Sequence, residues 1–185
     1  VNIHANTLCG VKKWGAVCIY NATDTTFLKN TVLAECSCGH DAEMFKAAVS
    51  AFNSNVKLNN VSISDATQPF FSQFGDYIEI VNCRLRSESV CDIINIKKAR
   101  FCNIEGCDIM GNELYDTDGI DLDGLDSGIV SNNNISGFFG VNNDGIDIGE
   151  NAKNILIENN RIFNCFDKGI SVGQASFVTV KNNII

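Results

Sequence analysis

The stretch ILIENNRI (155–162) decides the fold, because its pattern returns along the chain. The pattern is apolar, any, apolar, any, Asn, any, any, apolar, and its apolar residues alternate as they do in a strand. Further copies are VKLNNVSI (56–63), IEIVNCRL (78–85), CNIEGCDI (102–109), GIVSNNNI (128–135) and VTVKNNII (178–185), with weaker copies TFLKNTVL (26–33) and VNIHANTL (1–8). Recurrence of one short unit at this spacing predicts a repeat protein.

The fifth position of the unit forms a column with steps of 22 to 30 residues. Its members are Asn30, Asn60, Asn82, Gly106, Asn132, Asn159 and Asn182. Asn and Gly both tolerate the left-handed backbone conformation, and stacked Asn amides can hydrogen-bond along the axis. A second column with a matching period contains the first inward residue of another strand. Its members are Val17, Val49, Phe71, Ile94, Ile120, Ile146 and Ile170.

Two columns that share one period predict an all-β fold, a right-handed parallel β-helix of about seven coils. This β-helix would span residues 1–185 as a single domain. Leucine-rich repeats have units of similar length, but they show dense Leu and a helical segment that this sequence lacks. Val1 and Ile185 both fall in expected strands, which predicts a processed product or a module of a longer protein.

Composition limits the possible partners. The chain has 185 residues and a formal net charge of −8, so nucleic acid is not an expected partner. No run of about 18 apolar residues occurs, so no membrane span is expected.

Nine cysteines occur in the chain. Cys36 and Cys38 are too close together for the usual zinc knuckle, and buried thiols are the favoured interpretation. Cys83 and Cys107 occupy the same position of adjacent units, so a disulfide between them is an alternative.

Acidic residues concentrate in two nearly repeated segments, DTDGIDLDG (116–124) and NNDGIDIGE (142–150). In the second strand of each coil, one outward residue lies between two inward residues. The outward column contains Cys18, Ser50, Ser72, Asn95, Asp121, Asp147 and Ser171. Parallel strands lie about 4.8 Å apart, so two ionised aspartates at neighbouring positions would repel by about 1 kcal/mol in water and about 3.5 kcal/mol at an effective dielectric constant of about 20.

Further charged residues surround this aspartate pair. Asp118 and Asp144 enter the same two strands, Lys168 follows one coil later, and Asp123 and Glu150 lie at the strand exits. Such a concentration of carboxylates needs a cation, a shared proton or a neutralising lysine, unless the aspartates are simply hydrated in turns.

Each of these interpretations has its own set of residues. Calcium takes about six to eight oxygen ligands. The candidate calcium ligands are Asp121, Asp123, Asp147 and Glu150. The candidate catalytic residues, which would share or transfer a proton, are Asp118, Asp121, Asp144, Asp147 and Lys168. The candidate carbohydrate-binding residues, which flank the aspartate pair in the outward column, are Asn95 and Ser171.

Four segments carry a resemblance to a known family. They are WGAVCIYNAT (14–23), DTDGIDLD (116–123), NNDGIDIGE (142–150) and CFDKGISVGQ (165–174). From about residue 10 to the end, the chain resembles the right-handed β-helix domains of large bacterial surface proteins, which often also carry CotH-type kinase-like or lamin-tail domains. The resemblance implies an exported, surface-associated module without an established activity.

A weaker resemblance is to polygalacturonases, β-helical enzymes whose signatures Asn-Thr-Asp, Asp-Asp, Gly-His-Gly and Arg-Ile-Lys lie on successive coils. It implies acids at Asp118 and Asp144. Lys168 stands where the His would be, Gly145 replaces the second Asp of the pair, and the last signature would fall beyond Ile185. A lyase of the pectate type, which uses calcium to bridge an acidic sugar to carboxylates, is a further alternative with Lys168 as its candidate base.

Together these patterns predict an exported cell-surface or extracellular module with a structural role. Its acidic face would bind a polysaccharide, a cell-surface glycan or calcium. The alternatives are a polysaccharide hydrolase or lyase that uses the aspartate cluster, and a subunit that stacks end to end through bare strand edges.

Overall fold

The structure, a computed structural model, describes residues 1–3, 13–39 and 41–185. These residues form nineteen β-strands and no α-helix. The strands are β1 (Asn2–Ile3), β2 (Val17–Tyr20), β3 (Thr26–Ala34), β4 (Val49–Phe52), β5 (Val56–Ala66), β6 (Phe70–Gln73), β7 (Tyr77–Val81), β8 (Arg84–Ser87), β9 (Ile94–Lys97), β10 (Phe101–Glu105), β11 (Asp108–Met110), β12 (Ile120–Asp123), β13 (Ser127–Ser131), β14 (Asn134–Phe138), β15 (Asp144–Ile148), β16 (Ile155–Glu158), β17 (Arg161–Cys165), β18 (Lys168–Val172) and β19 (Thr179–Lys181). The described part of the chain contains no helix long and apolar enough to cross a bilayer.

The strands build two parallel sheets that wind as a solenoid of about seven turns, which confirms the predicted parallel β-helix. One sheet has seven strands in the order β2-β4-β6-β9-β12-β15-β18. The other has twelve strands, and beyond β5 it divides into the branches β7-β10-β13-β16-β19 and β8-β11-β14-β17. Each middle coil therefore supplies three strands, as β9, β10 and β11 do. The right-handedness of the solenoid stays a prediction.

The fifth position of the repeated unit bends the chain, inside β3 and β5 at Asn30 and Asn60 and between two strands of a coil from Asn82 to Asn159. Every member of that column has positive φ, from 51° at Asn30 to 63° at Gly106. Within the described chain, its side chains hydrogen-bond to each other at one step, where Asn60 Nδ2 donates to Asn30 Oδ1 at 2.8 Å. Later coils use backbone bonds, such as the one from Asn82 N to Glu105 O at 2.9 Å. The left-handed column is confirmed, whereas the continuous amide ladder is not.

A buried asparagine ladder does exist, one residue further along the unit, and it was not predicted. Asn133 Nδ2 donates to Asn160 Oδ1, and Asn160 Nδ2 donates to Asn183 Oδ1, both at 2.9 Å. Asn133 and Asn160 are both buried. Their amides are therefore satisfied inside the solenoid by the neighbouring coils.

Cys83 and Cys107 lie in the same inward column as this ladder, on the preceding coils. The peptide N–H of Cys107 donates to Asn133 Oδ1 at 2.9 Å, which joins the cysteines to the ladder. All eight described cysteines are free thiols, and four of them are buried. Buried thiols are thus confirmed for these four, and the Cys83–Cys107 disulfide is not formed.

Two parts of the predicted register are wrong. Val49 pairs with Phe70 and not with Phe71, so Phe71 instead of Ser72 joins the outward column next to Asn95. Alternation failed as a guide here because both phenylalanines are buried. The weakest copy (1–8) is also misaligned, since Asn2 pairs with Val32, five residues beyond the predicted partner.

The glycine of the repeated Gly-Ile-Asp core is required by backbone packing between coils. A Cβ on Gly119 would lie 2.4 Å from the carbonyl oxygen of Gly145, and a Cβ on Gly145 would lie 2.6 Å from that of Gly169. Neither separation is tolerated by a side chain. The motif is therefore repeated first for a structural reason, before any chemistry of its aspartates.

Candidate functional site

Three adjacent strands of the seven-stranded sheet place the predicted acidic stripe in register. Asn95 of β9, Asp121 of β12 and Asp147 of β15 are Cα partners, and Ser171 of β18 follows Asp147. The predicted neighbours in this stripe are confirmed. Parallel pairing forces like positions together, which is why the two aspartates meet.

The earlier part of the same outward face is covered. Ser50 and Phe71 are both buried. Ser50 Oγ bonds with the backbone of Ala47, and Lys46 Nζ lies 4.7 Å from the centre of the Phe71 ring. The segment before β4 therefore covers the face at Ser50 and Phe71, whereas Cys18 of the first coil is exposed. Asn95 is still buried, so this part of the stripe opens at Asp121.

A second column of carboxylates enters the same strands. The peptide N–H of Asp118 donates to Asp92 Oδ1 at 3.2 Å, and that of Asp144 donates to Asp118 Oδ1 at 2.7 Å. The peptide N–H of Lys168 continues the series to Asp144 Oδ1 at 2.9 Å. Each carboxylate thus accepts a hydrogen bond from the backbone of the next coil, which fixes its orientation toward the axis of the stack.

These two columns border a groove of about 580 Å³, called the acidic groove below. The charged residues that line it are Asp92, Asp116, Asp118, Asp121, Asp123, Asp147, Glu150 and Lys97. The groove thus collects seven carboxylates around one lysine. Five of the predicted site residues lie here, namely Asp118, Asp121, Asp123, Asp147 and Glu150.

Four other predicted site residues do not line the acidic groove. Asp144 is buried behind it, where Lys168 Nζ lies 3.2 Å from both carboxylate oxygens. Lys168 also forms an ion pair with Asp167, so its ammonium group lies against Asp144 and Asp167 and not in the acidic groove. Asn95 and Ser171 instead support groove residues from the sides, because Asn95 bonds to Asp121 and Ser171 hydrogen-bonds to Asp147.

Lys97 and Asp92 were missed by the sequence analysis. Lys97 Nζ lies 2.8 Å from Asp123 Oδ2 and 3.9 Å from Asp121 Oδ2, so it is the cation that faces the aspartate pair. Asp92 precedes Asp118 by the same 26 residues that separate Asp118 from Asp144. That spacing was the available signal, but the Asp92 coil lacks the Asp-Gly motif that drew attention to the others.

Burial and mutual repulsion keep part of the cluster protonated near neutral pH. Burial, together with the neighbouring charges of Asp92 and Asp123, raises the pKa of Asp121 to about 8. Burial likewise raises the pKa of Asp118 to about 7, against the lowering effect of its hydrogen bond from the Asp144 backbone. The pKa values of Asp92 and Asp147 are also raised, again mainly by burial.

Asn95 has a side chain that is only partly satisfied. Its Nδ2 donates to Asp92 Oδ2 at 2.6 Å and to Asp121 Oδ2 at 2.7 Å. The residue is 6% exposed, and its Oδ1 has no hydrogen-bond partner among the described residues. A buried acceptor without a partner is costly, so Asn95 holds the carboxylates of Asp92 and Asp121 in place while its own Oδ1 stays unsatisfied.

The predicted calcium set gains no support from this geometry. The four candidate ligands share the groove, but the described residues contain no group of three or more acidic, His or Cys side chains arranged to hold a metal. Lys97 already balances part of the charge that calcium would neutralise. Calcium binding therefore stays a prediction from the sequence.

Comparison with protein-family models, with curated proteins and with solved structures gives no match. The resemblances to bacterial surface proteins and to polygalacturonases therefore stay predictions. The acidic groove itself therefore supplies the observations on which a function is proposed.

Proposed function

We propose that the acidic groove binds a neutral or amino-sugar polysaccharide, and that the chain is a glycan-binding β-helix module of the cell surface or extracellular space. The observation that carries the proposal is the gathering of seven carboxyl groups in one groove of about 580 Å³. Carboxylates accept hydrogen bonds from sugar hydroxyls, and protonated carboxyls donate them.

The negative charge of the acidic groove determines which class of glycan it can bind. A polymer of acidic sugars would meet seven carboxyl groups and a lysine that already lies 2.8 Å from Asp123. Repulsion therefore opposes a polyanion, whereas a sugar ammonium or an uncharged sugar escapes it.

Binding is tested by titrating the protein with defined neutral, amino-sugar and acidic oligosaccharides in a calorimeter. Asp121→Asn should weaken binding of an amino sugar, because it removes a carboxyl group from the centre of the groove. Asp126→Asn is the matched control, since Asp126 pairs with Lys153 at 3.0 Å and lies outside the groove. Preference for the acidic oligosaccharide, or equal loss in both variants, would contradict the proposal.

Glycosidic hydrolysis is a second candidate, and one observation favours it. Asp121, with a pKa raised to about 8, lies in the same groove as Asp123, whose carboxylate is 2.8 Å from Lys97. A carboxyl that keeps its proton beside a second carboxyl held by a lysine is the pairing that a general acid and a general base require. Asp121 would protonate the glycosidic oxygen, and Asp123 would activate water.

Hydrolysis is tested by release of reducing ends from the same panel of glycans. Activity should fall by at least about 100-fold in Asp121→Asn, as expected when a general acid is lost, and persist in Asp126→Asn. A wild-type protein that binds a glycan but releases no reducing ends would refute hydrolysis and leave binding intact.

A further inference from the structure

A second groove, of about 710 Å³, lies on the twelve-stranded sheet and is called the asparagine groove below. It follows the left-handed column from Asn30 through Asn60 and Asn82 to Gly106. Four coils at about 4.8 Å per step give a length of roughly 14 Å. None of its lining residues borders the acidic groove.

The amides along this groove keep unused hydrogen-bonding groups. Asn60 Nδ2 donates to Asn30 Oδ1, which leaves Asn30 Nδ2 and Asn60 Oδ1 without a partner in the described part of the chain. Gly106 carries no side chain, and a Cβ there would lie 2.6 Å from Asn82 Oδ1. The column thus presents an unused donor at Asn30 and an unused acceptor at Asn60, and at its end Asn82 Oδ1 occupies the space where a side chain of Gly106 would lie.

Arg84 brings a positive charge to the asparagine groove. It is the Cα partner of Asp108, yet it makes no ion pair within the described residues. The carboxylate of Asp108 accepts a hydrogen bond from Asn134 Nδ2 at 2.9 Å instead. Arg86 and Arg100 contrast with it, because each lies within 3.5 Å of a carboxylate.

We propose that the asparagine groove binds a linear polysaccharide that carries carboxylate groups. A guanidinium binds a carboxylate through two parallel hydrogen bonds, which uses the unpaired Arg84. The free amide groups of Asn30 and Asn60 match sugar hydroxyls, which also act as donors and acceptors. Charge favours an anion at the asparagine groove over the acidic groove, since the charged lining residues of the asparagine groove are Arg84 and Asp108, with Asp108 bonded to Asn134, whereas the acidic groove collects seven carboxyl groups around one lysine.

The proposal does not depend on the function assigned to the acidic groove, because different residues carry it. It predicts that one chain binds an anionic glycan on one sheet and a neutral or amino-sugar glycan on the other. Binding at the asparagine groove should weaken with salt, as expected for an exposed charge.

The test titrates the protein with an oligouronate, with its uncharged analogue of equal length, with a sulfated oligosaccharide and with inorganic phosphate. Wild type should bind the oligouronate, and Arg84→Gln should bind it about tenfold more weakly or worse. Arg161→Gln is the matched control, because Arg161 occupies the same outward column, makes no ion pair within the described residues and lies outside the groove. Asp121→Asn should leave this binding unchanged.

Several outcomes would overturn the proposal. Equal losses in Arg84→Gln and Arg161→Gln would show attraction to overall charge and no binding at the groove. Absence of oligouronate binding, or equal binding of its uncharged analogue, would show that Arg84 does not bind a sugar carboxylate. Equal binding of phosphate or of the sulfated oligosaccharide would reduce the site to a general anion site. Circular dichroism of both variants confirms that the fold is retained.

Discussion

The buried asparagine ladder should be a main source of stability in the later coils, and Asn160→Ala tests this directly. The side chain of Asn160 takes part in four hydrogen bonds. Oδ1 accepts from the N and Nδ2 of Asn133 at 3.0 and 2.9 Å, and Nδ2 donates to Val130 O and Asn183 Oδ1 at 2.9 Å each. Asn160 is fully buried, so water cannot replace these bonds.

The size of the effect follows from these contacts. Truncation leaves the buried peptide N–H of Asn133 without its acceptor, which costs about 1–3 kcal/mol. The three other bonds contribute about 0.5–1.5 kcal/mol each. We therefore expect Asn160→Ala to lower the free energy of unfolding by at least about 2.5 kcal/mol.

The assay is urea unfolding followed by far-ultraviolet circular dichroism. Asn103→Ala is the control, since Asn103 is a half-buried outward residue of β10 with no side-chain hydrogen bond in the described part of the chain. It should change the free energy of unfolding by less than about 0.5 kcal/mol. If Asn160→Ala costs no more than this control, the ladder does not stabilise the solenoid as argued.

Three further predictions concern pH, packing and thiols. The pKa values of Asp118 and Asp121 are raised in the folded state to about 7 and about 8, so their stabilising contribution is complete below about pH 4 and is lost as pH rises through these values. The urea concentration at the unfolding midpoint should therefore decrease as pH is raised from 5.5 to 9, and Asp121→Asn should make this decrease smaller. A midpoint that increases with pH would contradict the burial of these carboxyl groups. Gly140→Ala should lower the free energy of unfolding, measured in urea, by about 3 kcal/mol or more, because the added Cβ would lie within 2 Å of the carbonyl oxygen of Leu114. Gly173→Ala is the control and should be nearly neutral, because a Cβ at Gly173 has no atom within 4 Å. With a thiol reagent, Cys18→Ser should remove one rapidly reacting equivalent, and the four buried thiols should react only on unfolding; rapid reaction of a buried thiol in native protein would refute its burial.

The coil architecture could be predicted because its signals are local. Alternation marks the strands, and Asn marks the left-handed bend of the repeated unit in every copy of the column except Gly106, as the positive φ of Asn60, Asn132 and Asn159 shows. The predicted register was wrong where tertiary packing buries an outward residue that alternation predicts to be exposed. At Phe70 and Phe71 the outward residue is also buried, because the segment before β4 covers it.

The acidic groove could be predicted only in part. Asp121 and Asp147 followed from the repeat, since equivalent positions must meet in parallel coils. Lys97 was assignable by the same rule, because it precedes Asp123 by the 26 residues that separate Asn95 from Asp121, but it lies outside the repeated Asp-Gly motifs. Lys168 was assigned to the groove from its column alone, but its side chain turns to Asp144 and Asp167.

The same stacking that makes Asn160 stabilising makes Asp121 costly, and this contrast is the strongest reason to place function at the acidic groove. An amide carries a donor and an acceptor, so a column of Asn satisfies itself through successive coils. A carboxylate only accepts, so a column of Asp repels unless a proton or a cation intervenes. Asn160→Asp should show the difference within one position. It keeps the acceptor for Asn133 but opposes Asn183 Oδ1 with a second oxygen, so the variant should be far more stable at pH 4 than at pH 8. Near and above neutral pH, where ionised carboxylates repel, Asp at positions 118, 121 and 147 costs stability that a column of Asn would not, and this cost supports the proposal that the acidic groove is a binding site.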